Sequence, residues 1–152
     1  MNEPCQVSQK VMSFLSKIDW LPPLLVRLAV GYVFLMTGKG KLSNLDRTTE
    51  FFQSLGIPMA HANAILVSTL ECAGGILFMA GFLTRLISIP LAAIMAVAIA
   101  TAKWGDVADL ADFAGLSELA YLLIFLWFIT AGAGRASVDH LICSKCDKPT
   151  PV

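Results

Sequence analysis

The sequence predicts an all-α integral membrane protein, a four-helix bundle with both termini on the cytoplasmic side and a short interfacial helix in the first loop. Of its 152 residues, 57% are hydrophobic and 14% are charged, and its mean hydropathy of +0.72 lies well above the soluble average. Four apolar runs approach the roughly 20 residues that a helix needs to cross a bilayer. Membrane lipids are therefore expected neighbours. A formal charge of zero and the lack of a basic stripe argue against nucleic acid.

The runs divide the chain into three parts. The sequence predicts a cytoplasmic amphipathic arm at residues 1–19, the four-helix domain at residues 20–139 and a cytoplasmic tail at residues 140–152. Lysine and arginine are modestly enriched on the side of the termini, which favours a cytoplasmic position for both ends. Asp19 is expected to cap the first span, with Pro22 and Pro23 in its first turn.

The first span runs from about Leu21 to Lys39 and carries a distinctive face. Five residues recur at steps of four, three, four and three, so they line one side of the helix. Because that side combines charge, small residues and one aromatic ring, it is predicted to be buried against the other helices. A short interfacial helix is expected between Ser43 and Pro58. The five residues of the face are Arg27, Gly31, Phe34, Gly38 and Lys41.

The second span, Ala62 to Phe82, has a carboxylate near its centre, Glu71. An ionisable side chain at that depth costs a few kcal/mol or more unless a partner compensates it. Gly74 and Gly75 remove side-chain bulk one turn further along, where a neighbouring backbone can approach. Glu71 is therefore predicted to point into the bundle and to mark the functional site.

Two further spans complete the bundle. The third, Leu86 to Ala102, follows after a few residues and should form a tight antiparallel hairpin with the second. The last runs from about Leu116 to Gly134. Small residues at a spacing of four predict a packing ridge on the third span. They are Ser88, Ala92, Ala96 and Ala100.

Charges inside a membrane usually pair, and two pairings are open for Arg27. Glu71 is the obvious partner, but it lies about 14 Å into its helix and Arg27 about 9 Å into its own. Helical side chains lean toward their own N-termini, which here separates the two groups. Asp139, at the same membrane face as Arg27, is the rival partner. A pair with Arg27 would lock the bundle, whereas an unpaired Glu71 would bind a ligand or a proton.

Five motifs, in this order, resemble the DoxX family of four-helix membrane proteins: R-x3-G-x2-F-x3-G-x2-K from Arg27 to Lys41, LGIP at 55–58, E-x2-GG at 71–75, G-x2-TR at 81–85 and GAGRASVD at 132–139. The resemblance implies a multi-pass protein of the bacterial inner membrane. It also implies an accessory or quinone-facing membrane subunit of a redox complex. The matching positions are carried over as buried polar or ligand-binding residues: Arg27, Lys41, Glu71, Arg85, Arg135 and Asp139.

The tail supplies a separate candidate site. Cys143 and Cys146 form a C-x-x-C, and the predicted topology places His140 and Cys5 on the same membrane side. Thiolates bind zinc and copper(I) well, so these four residues are a candidate metal site. No haem is expected, because His61 and His140 lie at opposite membrane faces and cannot ligate one iron.

Three functions therefore remain open. The first is an accessory or quinone-facing subunit that works with a redox enzyme. The second is a small transporter or lipid-binding bundle, which requires a cavity around Glu71. The third is a metal- or thiol-handling accessory protein that acts through the C-x-x-C tail. The sequence does not decide whether the protein is itself an enzyme or whether it forms a homo-oligomer.

Overall fold

The computed structural model describes residues 16–139 and 141–142, and 80% of the described chain is helical. The α-helix Thr84–Ala98 continues beyond its last residue as a π-helical turn, Ile99–Lys103, and a 3-10 turn, Trp104–Asp106. The all-α prediction is confirmed. The α-helices are α1 Leu21–Ser43, α2 Leu45–Ser54, α3 Ala60–Ala80, α4 Thr84–Ala98, α5 Leu110–Ala114 and α6 Ser117–Ala131.

Three helices of the described region are long and apolar enough to cross a membrane: α1, α3 and α4 with its π-helical turn. The predicted fourth span differs. Its helix, α6, has 15 residues and is about 22 Å long at 1.5 Å per residue. Gly132 and Gly134, both with positive φ, lead the chain out of helical geometry. An irregular segment, residues 132–137, therefore continues from the end of α6.

The long helices pack as two pairs, α1 against α3 and α4 against α6. Glycines allow the backbones of the first pair to touch. A Cβ atom on Gly75 would lie 2.6 Å from the Gly31 carbonyl oxygen, and one on Gly38 would lie 2.5 Å from the Cys72 nitrogen. These contacts confirm the buried face predicted on the first span.

The connection between α3 and α4 is as short as predicted, residues 81–83, but the packing of α4 was predicted incompletely. Ser88 and Ala92 are buried, whereas Ala96 and Ala100 are exposed. The buried line instead continues through Met95 and Ile99. Larger side chains fill these positions. The reason is that α3 packs mainly on α1 and leaves space beside the C-terminal half of α4.

Aromatic rings join the two helix pairs. Phe34 of α1 meets Phe125 and Tyr121 of α6 edge-on, with ring centroids 5.0 and 5.5 Å apart. Phe78 of α3 contacts Phe125 and Phe128 in the same way, at 5.3 and 4.9 Å. Edge-to-face pairs each contribute about 0.5 to 1.5 kcal/mol beyond the area they bury. These rings therefore pack the two helix pairs against each other. We call them the aromatic cluster: Phe34, Phe78, Tyr121, Phe125 and Phe128.

The N-terminal cap of α1 differs from the prediction, whereas a helix is present in the first loop as predicted. The N-cap of α1 is Trp20, not Asp19, and no side chain caps it. The Asp19 carboxylate instead lies 3.5 Å from the Arg135 guanidinium. The predicted interfacial helix exists as α2, which buries Thr48 and Phe52 and leaves most of its other side chains in contact with the surroundings.

Candidate functional site

A buried ion pair joins α1 to α3. The Lys41 ammonium donates hydrogen bonds to both carboxylate oxygens of Glu71, at 2.6 and 2.7 Å. The Glu71 side chain is 2% exposed, whereas that of Lys41 is 34% exposed. Glu71 is therefore enclosed by protein, whereas about a third of the Lys41 side chain stays exposed.

The helix geometry explains why Lys41 reaches Glu71. Lys41 lies near the C-terminal end of α1, and side chains of an α-helix lean toward the N-terminus of their helix. The lysine side chain therefore leans inward, toward the middle of the bundle. Because Gly38 lets α1 and α3 approach closely, the four-carbon chain is long enough to bridge to Glu71.

The pair borders a cavity of about 1050 Å³ between the two helix pairs. Its lining is predominantly apolar, with contributions from α1, α2, α3, α4 and α6. Pockets for small organic ligands have this volume and this combination of apolar walls with a few polar groups. The polar lining residues are Thr37, Lys41, Asn44, Arg47, Thr48, Asn63, Glu71, Thr101, Lys103, Ser117, Glu118 and Tyr121.

Sequence reasoning missed the part of the cavity formed by α6 and the π-helical turn. Lys103 and Glu118 lie 4.0 Å apart on that wall, opposite the Lys41–Glu71 pair. Tyr121 follows one turn later and packs on Phe34. Periodicity could not identify these residues, because α6 is apolar around its whole circumference and shows no distinct polar face.

Arg27 has a different role from the one predicted. Its side chain is almost completely buried, yet within the described residues it is ion-paired with neither Glu71 nor Asp139. It donates a hydrogen bond to the carbonyl oxygen of Ala136, in the irregular segment after α6. Its Nε and Nη1 atoms have no hydrogen-bond partner in the described part of the chain. Of the two pairings left open for Arg27, neither forms among the described residues, because Lys41 binds the Glu71 carboxylate and the Asp139 carboxylate accepts from backbone N–H groups.

Asp139 caps α4. Its carboxylate accepts hydrogen bonds from the backbone N–H groups of Leu83, at 2.7 Å, and Thr84, at 3.0 Å, while its own N–H donates to the Gly81 carbonyl oxygen at 3.0 Å. A carboxylate at a helix N-terminus accepts hydrogen bonds from otherwise unpaired N–H donors, and its negative charge interacts favourably with the helix dipole. Asp139 and Arg27 together fasten the irregular segment to the turn between α3 and α4.

The two remaining positions lie at the same end of the molecule. Arg85 is exposed and lies over Gly132, where a Cβ atom would be 3.0 Å from the arginine Nε. Arg135 forms its exposed pair with Asp19. Arg85 and Asp139 line a second, smaller cavity of about 700 Å³. The six positions therefore separate into the Lys41–Glu71 site and a second group at the other end of the bundle.

The metal site predicted from the tail involves Cys5, His140, Cys143 and Cys146, all of which lie outside the described residues. Within residues 16–139 and 141–142, no group of three or more histidine, cysteine, aspartate or glutamate side chains is arranged to hold a metal ion. The tail site stays a prediction.

Long apolar helices and a buried ion pair define the chain as a helical integral membrane protein. Comparison with known families identifies it further, since the DoxX family profile matches residues 23–104. The chain belongs to the DoxX family, as its motifs indicate. It is a multi-pass protein of the bacterial inner membrane.

Named relatives agree with this assignment. The chain is 33% identical to the "Putative oxidoreductase CatD" of Bacillus subtilis, over 66% of this chain and 70% of that protein. It is 31% identical to the "Uncharacterized membrane protein Rv3486" of Mycobacterium tuberculosis, over 82% and 84%. It is 37% identical to the "Inner membrane protein YphA" of Escherichia coli, over 41% and 44%. No solved structure matches the chain.

Proposed function

We propose that this protein is a quinone-facing membrane subunit of a redox complex, and that the cavity beside Lys41 and Glu71 holds the quinone head group. One observation carries the proposal. A lysine fixed by a buried carboxylate borders a largely apolar cavity of about 1050 Å³. This combination suits a ligand that has an oxygen-bearing head and an apolar body.

Lys41 supplies the contact to the head group. An ammonium carries three N–H donors, and Glu71 accepts two of them. The third is available to a ligand carbonyl oxygen in the cavity that Lys41 lines, since about a third of the Lys41 side chain is exposed. Glu71 holds the lysine in place through these two hydrogen bonds. A bound quinone would supply two-electron, two-proton redox chemistry.

The walls suit the apolar part of such a ligand. Val33, Leu66 and Val97 line the cavity, and each is exposed over more than a third of its surface. Exposed apolar walls of this kind suit the isoprenoid tail of a quinone. The Phe34 and Tyr121 rings, packed edge to face, offer aromatic surface near the head group.

The Bacillus subtilis relative supports the redox part of the proposal, because it carries the name of an oxidoreductase. We propose that electrons reach the bound quinone from a redox-enzyme partner, with which this chain acts as the membrane subunit. The buried pair contributes orientation and charge in this scheme.

The test is native mass spectrometry after extraction in mild detergent. We expect a stoichiometric bound quinone in the wild type. Ala98→Phe, which places a ring inside the cavity, should remove it, whereas Ala96→Phe on the exposed face of the same helix should not. A wild-type protein that carries no quinone, even after quinone is added to the membranes, would refute the proposal.

A second function is favoured by the cavity itself, which a transporter or lipid-binding bundle would require around Glu71. The same experiment separates the two functions. A phospholipid or fatty acid that is bound in the wild type and lost in Ala98→Phe, with quinone absent, would favour the lipid-binding function.

A further inference from the structure

We propose that the Lys41–Glu71 site exchanges water, protons and head groups with one membrane face only, the face formed by residues 44–59 and 104–116. We call this the loop face and the opposite one the terminal face. The proposal deepens the proposed function by specifying the membrane face through which water, protons and head groups reach the site. It rests on that function only for the identity of the ligand.

The site is open toward the loop face. Lys41 lies two residues before the end of α1, and on its loop-face side the cavity is bordered by charged and polar groups. Arg47 and Asn44 contribute on one side and Lys103 and Glu118 on the other. Polar groups at a cavity rim favour hydration, so we infer that water reaches the Lys41–Glu71 pair from this side.

The site is sealed toward the terminal face. Four rings of the aromatic cluster fill the space between the helix pairs on the terminal-face side of the cavity. They are 0–3% exposed and belong to Phe34, Phe78, Phe125 and Phe128. Close backbone contact at Gly31 and Gly75 leaves no passage between α1 and α3 at this level. A well-packed apolar layer of this kind excludes water.

A second seal lies beyond the aromatic cluster. The buried Arg27 guanidinium fills the space beside Gly81, where even a Cβ atom would overlap it. It also holds the irregular segment through the Ala136 carbonyl. The smaller cavity at the terminal face is therefore separated from the Lys41–Glu71 site by two packed layers, the arginine and the aromatic cluster.

One consequence concerns the redox partner. Protons that enter or leave at Glu71 must cross the loop face, and a soluble enzyme that reaches the head group must dock there. The side of the membrane on which the loops lie therefore decides the compartment in which the partner works.

Cysteine labelling tests this inference directly. In a background of Cys5→Ser, Cys72→Ala, Cys143→Ser and Cys146→Ser, a probe is placed with Met95→Cys. Met95 lies at mid-depth in α4 and lines the cavity. A membrane-impermeant maleimide is then added to right-side-out and to inside-out vesicles. Exposed positions mark the faces, with Ala111→Cys for the loop face and Lys17→Cys for the terminal face.

We expect Met95→Cys to react from the face that labels Ala111→Cys, with at least a tenfold lower yield from the other. Ala96→Cys, one residue along and outside the cavity, should react from neither face. Labelling of Met95→Cys from the terminal face, from both faces or from neither would overturn the proposal. Val67→Cys, which also lines the cavity, replaces the probe if Met95→Cys does not elute as a folded protein. Because no ligand is added, loss of quinone binding leaves this result unaffected.

Discussion

Lys41 and Glu71 are hydrogen-bonded across two helices although 30 positions separate them in the chain, and their exposure is unequal. The carboxylate is enclosed, whereas the ammonium partly faces the cavity. Enclosing one member of an ion pair fixes the orientation of the other. The pair therefore presents a lysine N–H in a defined direction, which a freely solvated lysine would not do.

The first prediction concerns this pair. Lys41→Met should lower the free energy of unfolding by about 2 to 3 kcal/mol, because Glu71 is left buried without a partner. This is below the 3 to 5 kcal/mol typical of fully buried pairs because Lys41 is partly exposed. Lys41→Met combined with Glu71→Leu should recover most of the loss. Steric-trapping or thermal unfolding in detergent measures these differences.

Lys39→Met is the matched control, since Lys39 is exposed and lies two residues away on the same helix. It should change the stability by less than about 0.5 kcal/mol. Equal losses for the two lysine variants would mean that the buried pair does not hold α1 to α3.

The second prediction concerns function at Glu71. Glu71→Gln keeps the size and much of the hydrogen bonding but removes the charge. We expect a folded protein that binds quinone at least tenfold more weakly, because the lysine is no longer held by a carboxylate. Ligand retention in native mass spectra measures the effect. Unchanged retention would make the pair structural only.

The third prediction concerns the contact of α1 with α3. Gly38→Ala should destabilise the protein by about 1 to 3 kcal/mol, since the added methyl group meets the backbone of Cys72. Gly40→Ala, with nothing within 4 Å of its added Cβ, should be neutral or stabilising by up to about 1 kcal/mol. Thermal unfolding of both variants would reveal the difference. A Gly38→Ala protein as stable as Gly40→Ala would contradict the close packing.

The fourth prediction concerns the cap of α4. Asp139→Ala removes the acceptors of the Leu83 and Thr84 N–H groups and should cost about 0.5 to 2 kcal/mol. Asp139→Asn should cost less, because its amide oxygen still accepts one hydrogen bond. Asp19→Ala is the control and should change stability by less than about 1 kcal/mol, since its pair with Arg135 is exposed.

The fifth prediction concerns topology, for which the charge bias of the sequence is the basis. Reporter fusions after Arg85 and Arg135 should read cytoplasmic, and fusions within 43–58 and 104–115 should read external. A periplasmic reading after Arg135 would reverse the orientation. The access route to Glu71 would then open to the cytoplasm.

The sequence predicted the helices and the buried face of α1 because helical periodicity and small residues are local signals. It selected Lys41 and Glu71 separately but not as partners. A lysine near a helix end is expected to extend toward water. Only the close approach of α1 and α3 at Gly38 shows that it reaches the Glu71 carboxylate. The cavity depends on how two helix pairs diverge, which no local pattern records. The break after α6 depends on the backbone conformation of Gly132 and Gly134.

The brevity of α6 has a consequence for the surrounding lipid. A helix of about 22 Å is several ångströms shorter than the hydrocarbon layer of about 30 Å. The bilayer beside α6 must thin locally, or another helix must replace the lipids there. Thinning costs a fraction of a kcal/mol per ångström of mismatch. The α6 side of the bundle thus favours thin bilayer regions and short acyl chains, and it is the side on which association with a neighbouring membrane helix relieves the most bilayer deformation.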